Sequence, residues 1–219
     1  MTKADHEVFL YSHSEEFANG LSHAAGMFLS IYAFISLLKL STPLWGGVHY
    51  LSVSLYCLSM LGLYLASTLY HFEKNKKKKL FFKKLDHIFI YFLIAGTYTP
   101  FLNISIGGSV GSVGSLYLWG IWGIAILGTI FKLFYTGSFN RVSLAIYLMM
   151  SWLALLLWNP LVSNLSEEGF LYILVGGALY TFGTVFFVMK KLAYHHFIWH
   201  LFVLSGSFFH YLAVKSIFI

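Results

Sequence analysis

Two histidines, His196 and His200, form an H-x-x-x-H pattern near the end of the sequence. Four residues turn an α-helix through about 400°, so both imidazoles project from one helix face and can bind the same metal ion. A third imidazole from another segment would complete a three-histidine site with an open fourth position, which is the arrangement of catalytic zinc. His71 is the residue that we expect to supply it.

Two further polar residues are candidates for chemistry beside such an ion. Asp86 can accept a proton from water as a general base, or it can cap a helix N-terminus as a lone carboxylate. Ser67 precedes His71 by four residues and shares its helix face, so its hydroxyl can bond that water or a substrate carbonyl. The other interpretation of Ser67 is a hydroxyl bonded to the carbonyl four residues earlier in its own helix.

A polar stripe lies near the start of the chain. Its members are Glu16, Asn19, Ser22 and His23. This spacing places them on one helix face, where a surface in contact with lipid would be apolar, so the stripe must face protein. We interpret it as structural, with the side chains bonded to the backbone ends of neighbouring helices, and keep direct catalysis as the alternative.

The elements that position these residues are membrane-spanning helices. Of the 219 residues, 58% are hydrophobic and only 10% are charged, whereas a soluble domain has about 45–50% apolar and about 25% charged residues. Aromatic residues make up 20% of the chain, which excludes a disordered protein. The apolar runs are long and do not alternate at period two, so a transmembrane barrel is excluded as well. Cys57 is the single cysteine, and no internal disulfide can form.

We predict an all-α integral membrane protein, with residues 1–219 forming a single seven-helix membrane domain. A spanning helix needs about 20 apolar residues, and seven runs between charges and turn residues meet that length. They are residues 20–39, 47–71, 86–105, 115–136, 142–160, 168–189 and 196–216. Pro160 is predicted to close the fifth span. The acidic N-terminal residues lack the composition of a cleavable signal peptide, so we expect the first span to insert the chain.

The positive charges predict the orientation of these spans. With the N-terminus inside, only Lys39 and Lys215 of the 14 lysines and arginines fall on the outer side. Since cytoplasmic loops carry the excess of positive charge, the N-terminus is predicted in the cytoplasm and the C-terminus outside. The net charge of +6 comes largely from a lysine-rich segment after span two. We interpret that segment as a loop that sets topology beside anionic lipid headgroups, and not as a nucleic-acid site.

In this orientation, polar groups from four spans fall at a similar depth in the cytoplasmic leaflet. They are His23, His71, Asp86, His87, His196 and His200. Ionisable residues inside spans are costly and usually functional, which favours a site at this depth. The competing interpretation is interfacial histidines wetted by headgroups, which we expect for His6, His13, His49 and His195. His210 lies about 15 Å beyond His200 along the helix, too far to bind the same ion, and is expected to be a hydrogen-bonded packing residue.

These motifs resemble the progestin and adipoQ receptor family, and in particular its bacterial haemolysin III branch. The resemblance rests on residues 16–23 (E-x2-N-x2-S-H), residues 67–71 (S-x3-H) followed by Asp86, and residues 196–200 (H-x3-H). Residues 96–100 (GTYTP) and 194–200 (YHHFIWH) are also similar to that branch. The similarity extends over residues ~15 to 215, nearly the whole chain.

The resemblance implies a seven-helix fold in the bacterial inner (plasma) membrane with a cytoplasmic N-terminus. It also implies a Zn²⁺ ion held by His71, His196 and His200, with Asp86 near the zinc-bound water and Ser67 close by. Related receptors are linked to the hydrolysis of ceramide-type amides. Because the receptors' long N-terminal domain has no counterpart here, we expect no peptide hormone as a partner.

Three functions compete at this point. The first is a zinc-dependent, ceramidase-like hydrolase that cleaves a lipid amide or ester within the membrane and serves lipid homeostasis, with Asp86 as the base. The alternative is a membrane-homeostasis sensor or receptor-like protein whose zinc is structural. A haemolytic pore is disfavoured, since no polar stripe crosses both leaflets. All of them predict membrane lipids as partners and no nucleic acid, and the sequence leaves the lipid and the oligomeric state open.

Overall fold

A computed structural model describes residues 11–41, 47–107, 111–135 and 140–219 of the chain. Within these ranges the protein is helical, and no β-strand is present. Seven helical segments are long and apolar enough to cross a membrane. The predicted class, an all-α membrane protein with seven transmembrane helices, is therefore confirmed, whereas the orientation of the termini stays a prediction.

The helices follow one another with short connections. They are α1 (His13–Ser41), α2 (Gly47–Phe72), α3 (Lys76–Pro100), α4 (Val113–Tyr135), α5 (Asn140–Trp152), α6 (Trp158–Asn164), α7 (Glu167–Val188) and α8 (His195–Lys215). A π-helical turn over Phe101–Ser105 extends α3, and a 3₁₀ turn over Leu153–Leu157 joins α5 to α6, which together form the fifth span.

Helix α3 begins ten residues before the predicted third span. Asn75 caps it, because its side chain accepts hydrogen bonds from the backbone N–H groups of Lys77 and Lys78 at 3.0 and 3.2 Å. The lysine-rich segment is therefore a helix and not a loop, since lysine is a good helix former once a cap satisfies the first N–H groups. Asp86 lies well inside α3, so its interpretation as an N-terminal cap is wrong.

The fifth span is broken in its middle by a side chain from α3. The Tyr98 hydroxyl donates toward the carbonyls of Met150 and Ser151, at 3.0 and 2.8 Å, and accepts a hydrogen bond from the Ala154 N–H at 2.7 Å. It thus replaces the helical hydrogen bond from the Ala154 N–H to the Met150 carbonyl. Insertion of a side chain between such a donor and acceptor is a known cause of a helix break. Pro160 does not close the span, because the chain stays helical to Asn164.

The seven spans are packed unevenly. In the most apolar 18-residue stretch of each span, 56% of the residues are buried in the second span, 17% in the fifth and 11% in the sixth. At the well-packed side, Gly96 of α3 lies against the Ser59 side chain of α2, where any Cβ would collide, as is typical of small residues between membrane helices. Helix α1 packs on both α2 and α8, which brings residues of these three helices together, and α8 also packs on α7.

Candidate metal centre

Three histidines from two helices meet where α2 ends and α8 begins. His71 lies in the last turn of α2, and His196 and His200 lie in the first two turns of α8. Helix α8 starts directly after Tyr194, whose φ of 56° is in the left-handed region that non-glycine residues rarely adopt. The Tyr194 N–H donates to Glu15 Oε1 of α1 at 2.9 Å, and this bond ties the start of α8 to α1.

These residues, here named the histidine triad (His71, His196 and His200), are assembled as the sequence predicted. Each offers a ligand nitrogen, and these nitrogens all lie within 4.8 Å of one another. All three side chains are buried, with exposed fractions of 3%, 8% and 2%. Nitrogens on a tetrahedral zinc ion about 2.1 Å away lie about 3.4 Å apart, so the rings need to approach by no more than about 1.5 Å.

Hydrogen bonds fix the orientation of two of the three rings. The His71 Nδ1–H donates to Glu16 Oε2 at 2.6 Å, and the His200 Nδ1–H donates to the Asn19 carbonyl at 3.1 Å, with Ser22 Oγ also at 3.1 Å. Because carboxylate and carbonyl oxygens only accept, both rings carry their proton on Nδ1 and keep a lone pair on Nε2. Such a partner on the far nitrogen is the usual support of a metal-ligating histidine.

The unsatisfied polar atoms of the described chain concentrate around the triad. His71 Nε2, both nitrogens of His196, both nitrogens of His23, Ser67 Oγ and the Asn19 side-chain amide are buried without a hydrogen-bond partner. A buried unsatisfied group costs about 1–3 kcal/mol, so a cluster of them calls for an ion or ordered water. The triad nitrogens and their supports could therefore hold a metal ion.

Asp86 lies beside the triad but outside it. Asp86 lines the same cavity as His196 and His200. Among the described residues, it does not belong to the set of mutually close ligand atoms. Ser67 is fully buried and lies near Asp86. The Ser67 hydroxyl makes no bond to a backbone carbonyl in the described structure, so that interpretation of Ser67 is wrong.

The polar stripe on α1 faces the triad. Glu16 and Ser22 bond its rings, and the His23 ring stacks on His200 with centroids 3.5 Å apart and an interplanar angle of 11°. The stripe faces protein as expected, but Glu16 contacts the side chains of His71 and Lys79 instead of a backbone end. The C-terminal end of α2 presents carbonyl groups, and a carboxylate cannot bond them because both groups only accept hydrogen bonds. Since α1 begins at His13, His23 lies about 2.8 turns into the helix.

Tyr11 covers the triad, and no sequence pattern pointed to it. Its ring stacks on His196 with centroids 5.1 Å apart and an interplanar angle of 21°, and it lies 5.7 Å from the His195 ring and 6.1 Å from the His71 ring. The segment just before α1 thus closes the triad on the side of the helix ends. A lone tyrosine near the N-terminus gives no signal of such a contact before the chain is folded.

A largely apolar cavity of about 140 Å³ begins beside His196 and His200 of the triad. Asp86, His196 and His200 line one end, and Phe101, Leu161 and His210 line more distant parts. Along α3 the lining extends from Asp86 to Phe101, fifteen positions or about 22 Å. This exceeds the ~15 Å of hydrocarbon in one leaflet. Residues of the fifth and sixth spans line much of this space.

The remaining predicted histidines do not belong to the triad. His195 is buried and its Nδ1 lies 3.1 Å from the Phe186 carbonyl, so it is not an interfacial residue. His210 Nε2 lies 3.4 Å from the Ile173 carbonyl, in agreement with a hydrogen-bonded packing role. His13 is exposed, and His6 lies outside the described residues. His87 follows Asp86 and lines the same cavity, and it also lines a second, smaller cavity with Lys132.

Comparisons with known proteins place this geometry in context. Residues 11–211 match the family profile described as "Haemolysin-III related". The chain is 40% identical over 198 residues to "Hemolysin-3 homolog" of Bacillus subtilis (strain 168), covering 90% of this chain and 92% of that protein. It is 42% identical over 193 residues to "Hemolysin-3" of Bacillus cereus, covering 88% and 87%. "Monocyte to macrophage differentiation factor" of Homo sapiens is 31% identical over 206 residues, covering 91% and 83%.

Proposed function

The chain belongs to the progestin and adipoQ receptor/haemolysin III family of multi-pass membrane proteins, and from that premise we propose that it is a zinc-dependent hydrolase that cleaves an amide or ester bond of a membrane lipid. The observation that carries the proposal is the position of the histidine triad. Its buried, unsatisfied nitrogens lie beside a buried carboxyl group at the end of a long apolar cavity. A lipid hydrolase needs these three parts together.

The triad would hold the zinc ion through His71, His196 and His200. A bound zinc ion polarises a carbonyl and lowers the pKa of water to about 7. Asp86 takes the proton of the attacking water on its carboxylate, and then delivers that proton to the leaving nitrogen or oxygen as the acyl bond breaks. Water is consumed and a fatty acid and an amine or alcohol are released.

Other side chains orient the reactants. Ser67, beside Asp86 and without another partner, donates its hydroxyl proton to the substrate carbonyl or to the Asp86 carboxylate. The apolar lining along α3, from Ile94 to Phe101, takes up the acyl chain and keeps bulk water away from the reacting bond. The acyl linkage then lies at the level of the triad, near the headgroup region.

The proposed location is the bacterial plasma membrane, with the N-terminus in the cytoplasm. The distribution of lysine and arginine supports this orientation, since the cytoplasmic side carries nearly all of them. It puts the triad in the cytoplasmic leaflet, and membrane lipids are then the substrates and partners. A cysteine-accessibility measurement on positions near both termini tests it, and labelling of the C-terminal end from the cytoplasm would contradict it.

The test of the hydrolase combines metal analysis with lipid profiling. Protein purified in nanodiscs is expected to contain about one zinc per chain, and His71→Ala, His196→Ala and His200→Ala are each expected to lose it. His13→Ala, the same substitution at an exposed histidine, serves as the control. Wild-type protein that turns over lipid at full rate after complete removal of zinc would refute the proposal.

A structural zinc is the second candidate, and one observation favours it. The triad ties α2 to α8 and is closed by Tyr11, which is the environment of a metal that holds helices together. Asp86→Asn separates the two functions, because an amide cannot accept the proton of water. A hydrolase loses about 10²–10⁴-fold in rate while it keeps its zinc, whereas a sensor with a structural zinc keeps both zinc and cellular function.

A further inference from the structure

Lys79 differs from the two lysines that precede it in the run at residues 76–79. Lys77 and Lys78 are exposed, as expected for charges at the membrane surface. Lys79 is only 2% exposed, although it belongs to the same uninterrupted run. A buried ammonium group is costly unless it is paired and hydrogen-bonded, so its position requires specific partners.

Those partners are a carboxylate and the end of α2. Lys79 Nζ lies 3.0 Å from Glu16 Oε1, while the other oxygen of the same carboxylate, Oε2, accepts the His71 Nδ1–H at 2.6 Å. Lys79 Nζ also donates to the Tyr70 carbonyl at 3.0 Å and to the His71 carbonyl at 3.4 Å. The Lys79 ammonium group therefore contacts both the carboxylate that bonds the His71 ring and the backbone carbonyl of His71.

Each contact has a separate physical effect. The ammonium group holds the Glu16 carboxylate in one orientation, and that carboxylate holds the His71 proton on Nδ1 and points Nε2 toward the other two rings. The carbonyls of Tyr70 and His71 belong to the last turn of α2, where backbone acceptors lack helical partners and a positive charge is stabilising. The first effect concerns metal affinity, and the second concerns the stability of the fold.

We propose that Lys79 is a positioning residue of the metal centre, which acts on the ligand His71 through Glu16. This inference rests on the proposed zinc site and adds to it a buried ion pair, Lys79 with Glu16, that sets the ligand's orientation. Lysine is required at this place for its contacts and not only for its contribution to membrane topology.

The test compares variants by zinc dissociation constant, measured by chelator competition, and by the absorption spectrum of the cobalt-substituted protein. Lys79→Met is expected to weaken zinc binding by about 10–100-fold, the range found when outer supports of metal ligands are removed, and to alter the cobalt d–d bands. Lys78→Met removes the same charge from the neighbouring exposed position and is expected to match wild type in both measurements.

A double variant keeps the test valid if Lys79→Met fails to fold with Glu16 left unpaired. Glu16→Gln removes the carboxylate, and the combination of Glu16→Gln with Lys79→Met contains no unpaired buried charge. Because Lys79 acts through Glu16, the double variant is expected to bind zinc within about twofold of Glu16→Gln alone, and both about 10-fold or more weaker than wild type. Loss of the carbonyl contacts is expected to appear as a lower unfolding temperature of the double variant.

The outcomes distinguish the two proposals. Wild-type protein that binds neither zinc nor cobalt overturns the metal centre and this inference with it. Wild-type protein that binds zinc, with Lys79→Met equal to wild type in affinity and cobalt spectrum, overturns the role of Lys79 alone. A double variant that loses much more affinity than Glu16→Gln also overturns it, because Lys79 would then act by another route.

Discussion

The Tyr98 hydroxyl is predicted to stabilise the broken fifth span, and Tyr98→Phe isolates that contribution. The substitution removes one oxygen and leaves the ring in place. The lost groups are an acceptor for the Ala154 N–H at 2.7 Å and a donor shared between the carbonyls of Met150 and Ser151. Two bonds are therefore lost, and all of their partners are backbone groups inside a membrane span.

The magnitude follows from these two bonds. Hydrogen bonds between membrane helices contribute about 0.6 kcal/mol on average and up to about 1.7 kcal/mol. Tyr98→Phe is therefore expected to lower the free energy of unfolding by about 1–2 kcal/mol. Part of the loss is recovered if the Ala154 N–H returns to the Met150 carbonyl, but α5 must then straighten against α3, where the Tyr91 and Tyr147 rings are packed 4.5 Å apart.

The assay is reversible unfolding in mixed micelles, followed by circular dichroism. Tyr56→Phe is the matched control, because Tyr56 is fully buried and its hydroxyl has no hydrogen-bond partner in the described structure. Its removal is expected to leave the unfolding free energy within about 0.5 kcal/mol of wild type, or to raise it. If Tyr98→Phe and Tyr56→Phe give the same unfolding free energy, the reasoning about Tyr98 is refuted.

Two further predictions concern the cover of the triad and the packing of α7. Tyr11→Ala is expected to speed the removal of zinc by a chelator several-fold, because the ring stacked on His196 closes the triad. Phe17→Ala, at an exposed aromatic residue of α1, is the control. Equal rates of zinc removal from the two variants would contradict the closure by Tyr11. Gly176→Ala is expected to cost about 1–3 kcal/mol, because a Cβ there lies 2.5 Å from the His210 ring and 3.1 Å from the Gly206 carbonyl oxygen. At the adjacent Gly177 a Cβ meets nothing within 4 Å, so Gly177→Ala is expected to be neutral or to stabilise the helix by up to about 1 kcal/mol. Unfolding measurements that rank the two glycine variants the other way would show that the α7 packing is misunderstood.

The helical class was predictable because it depends on composition and run length. In a bilayer every backbone polar group must be satisfied within the segment, so a long apolar run becomes a helix whatever its neighbours are. The H-x-x-x-H spacing was informative for the same reason, since helix geometry alone places His196 and His200 on one face. His71 could be added because few ionisable residues lie at membrane depth.

Two predictions about local structure were wrong, one on the lysine-rich segment and one on the end of the fifth span. The lysine-rich segment was interpreted as a solvated loop, but Asn75 caps a helix there, and Lys79 is buried by partners on α1 and α2. Pro160 was expected to end the fifth span, although the break lies earlier, where Tyr98 enters from another helix. The burial of Lys79 and the break at Tyr98 are not visible in the segments themselves, because Glu16 and Tyr98 lie far away in the sequence.

The sequence by itself determined that this protein is a seven-helix membrane protein of the haemolysin III family, and which imidazoles share a helix face. These properties depend on local periodicity, hydrophobicity and motif spacing, which act within one segment. Only the tertiary structure decided which buried groups meet, namely that Glu16 and Lys79 support His71, that Tyr11 covers His196, and that Asp86 opens onto a long apolar cavity. Contacts between different helices depend on how their faces pack. The role of a buried charge or an unsatisfied nitrogen therefore depends on the group that packing places beside it.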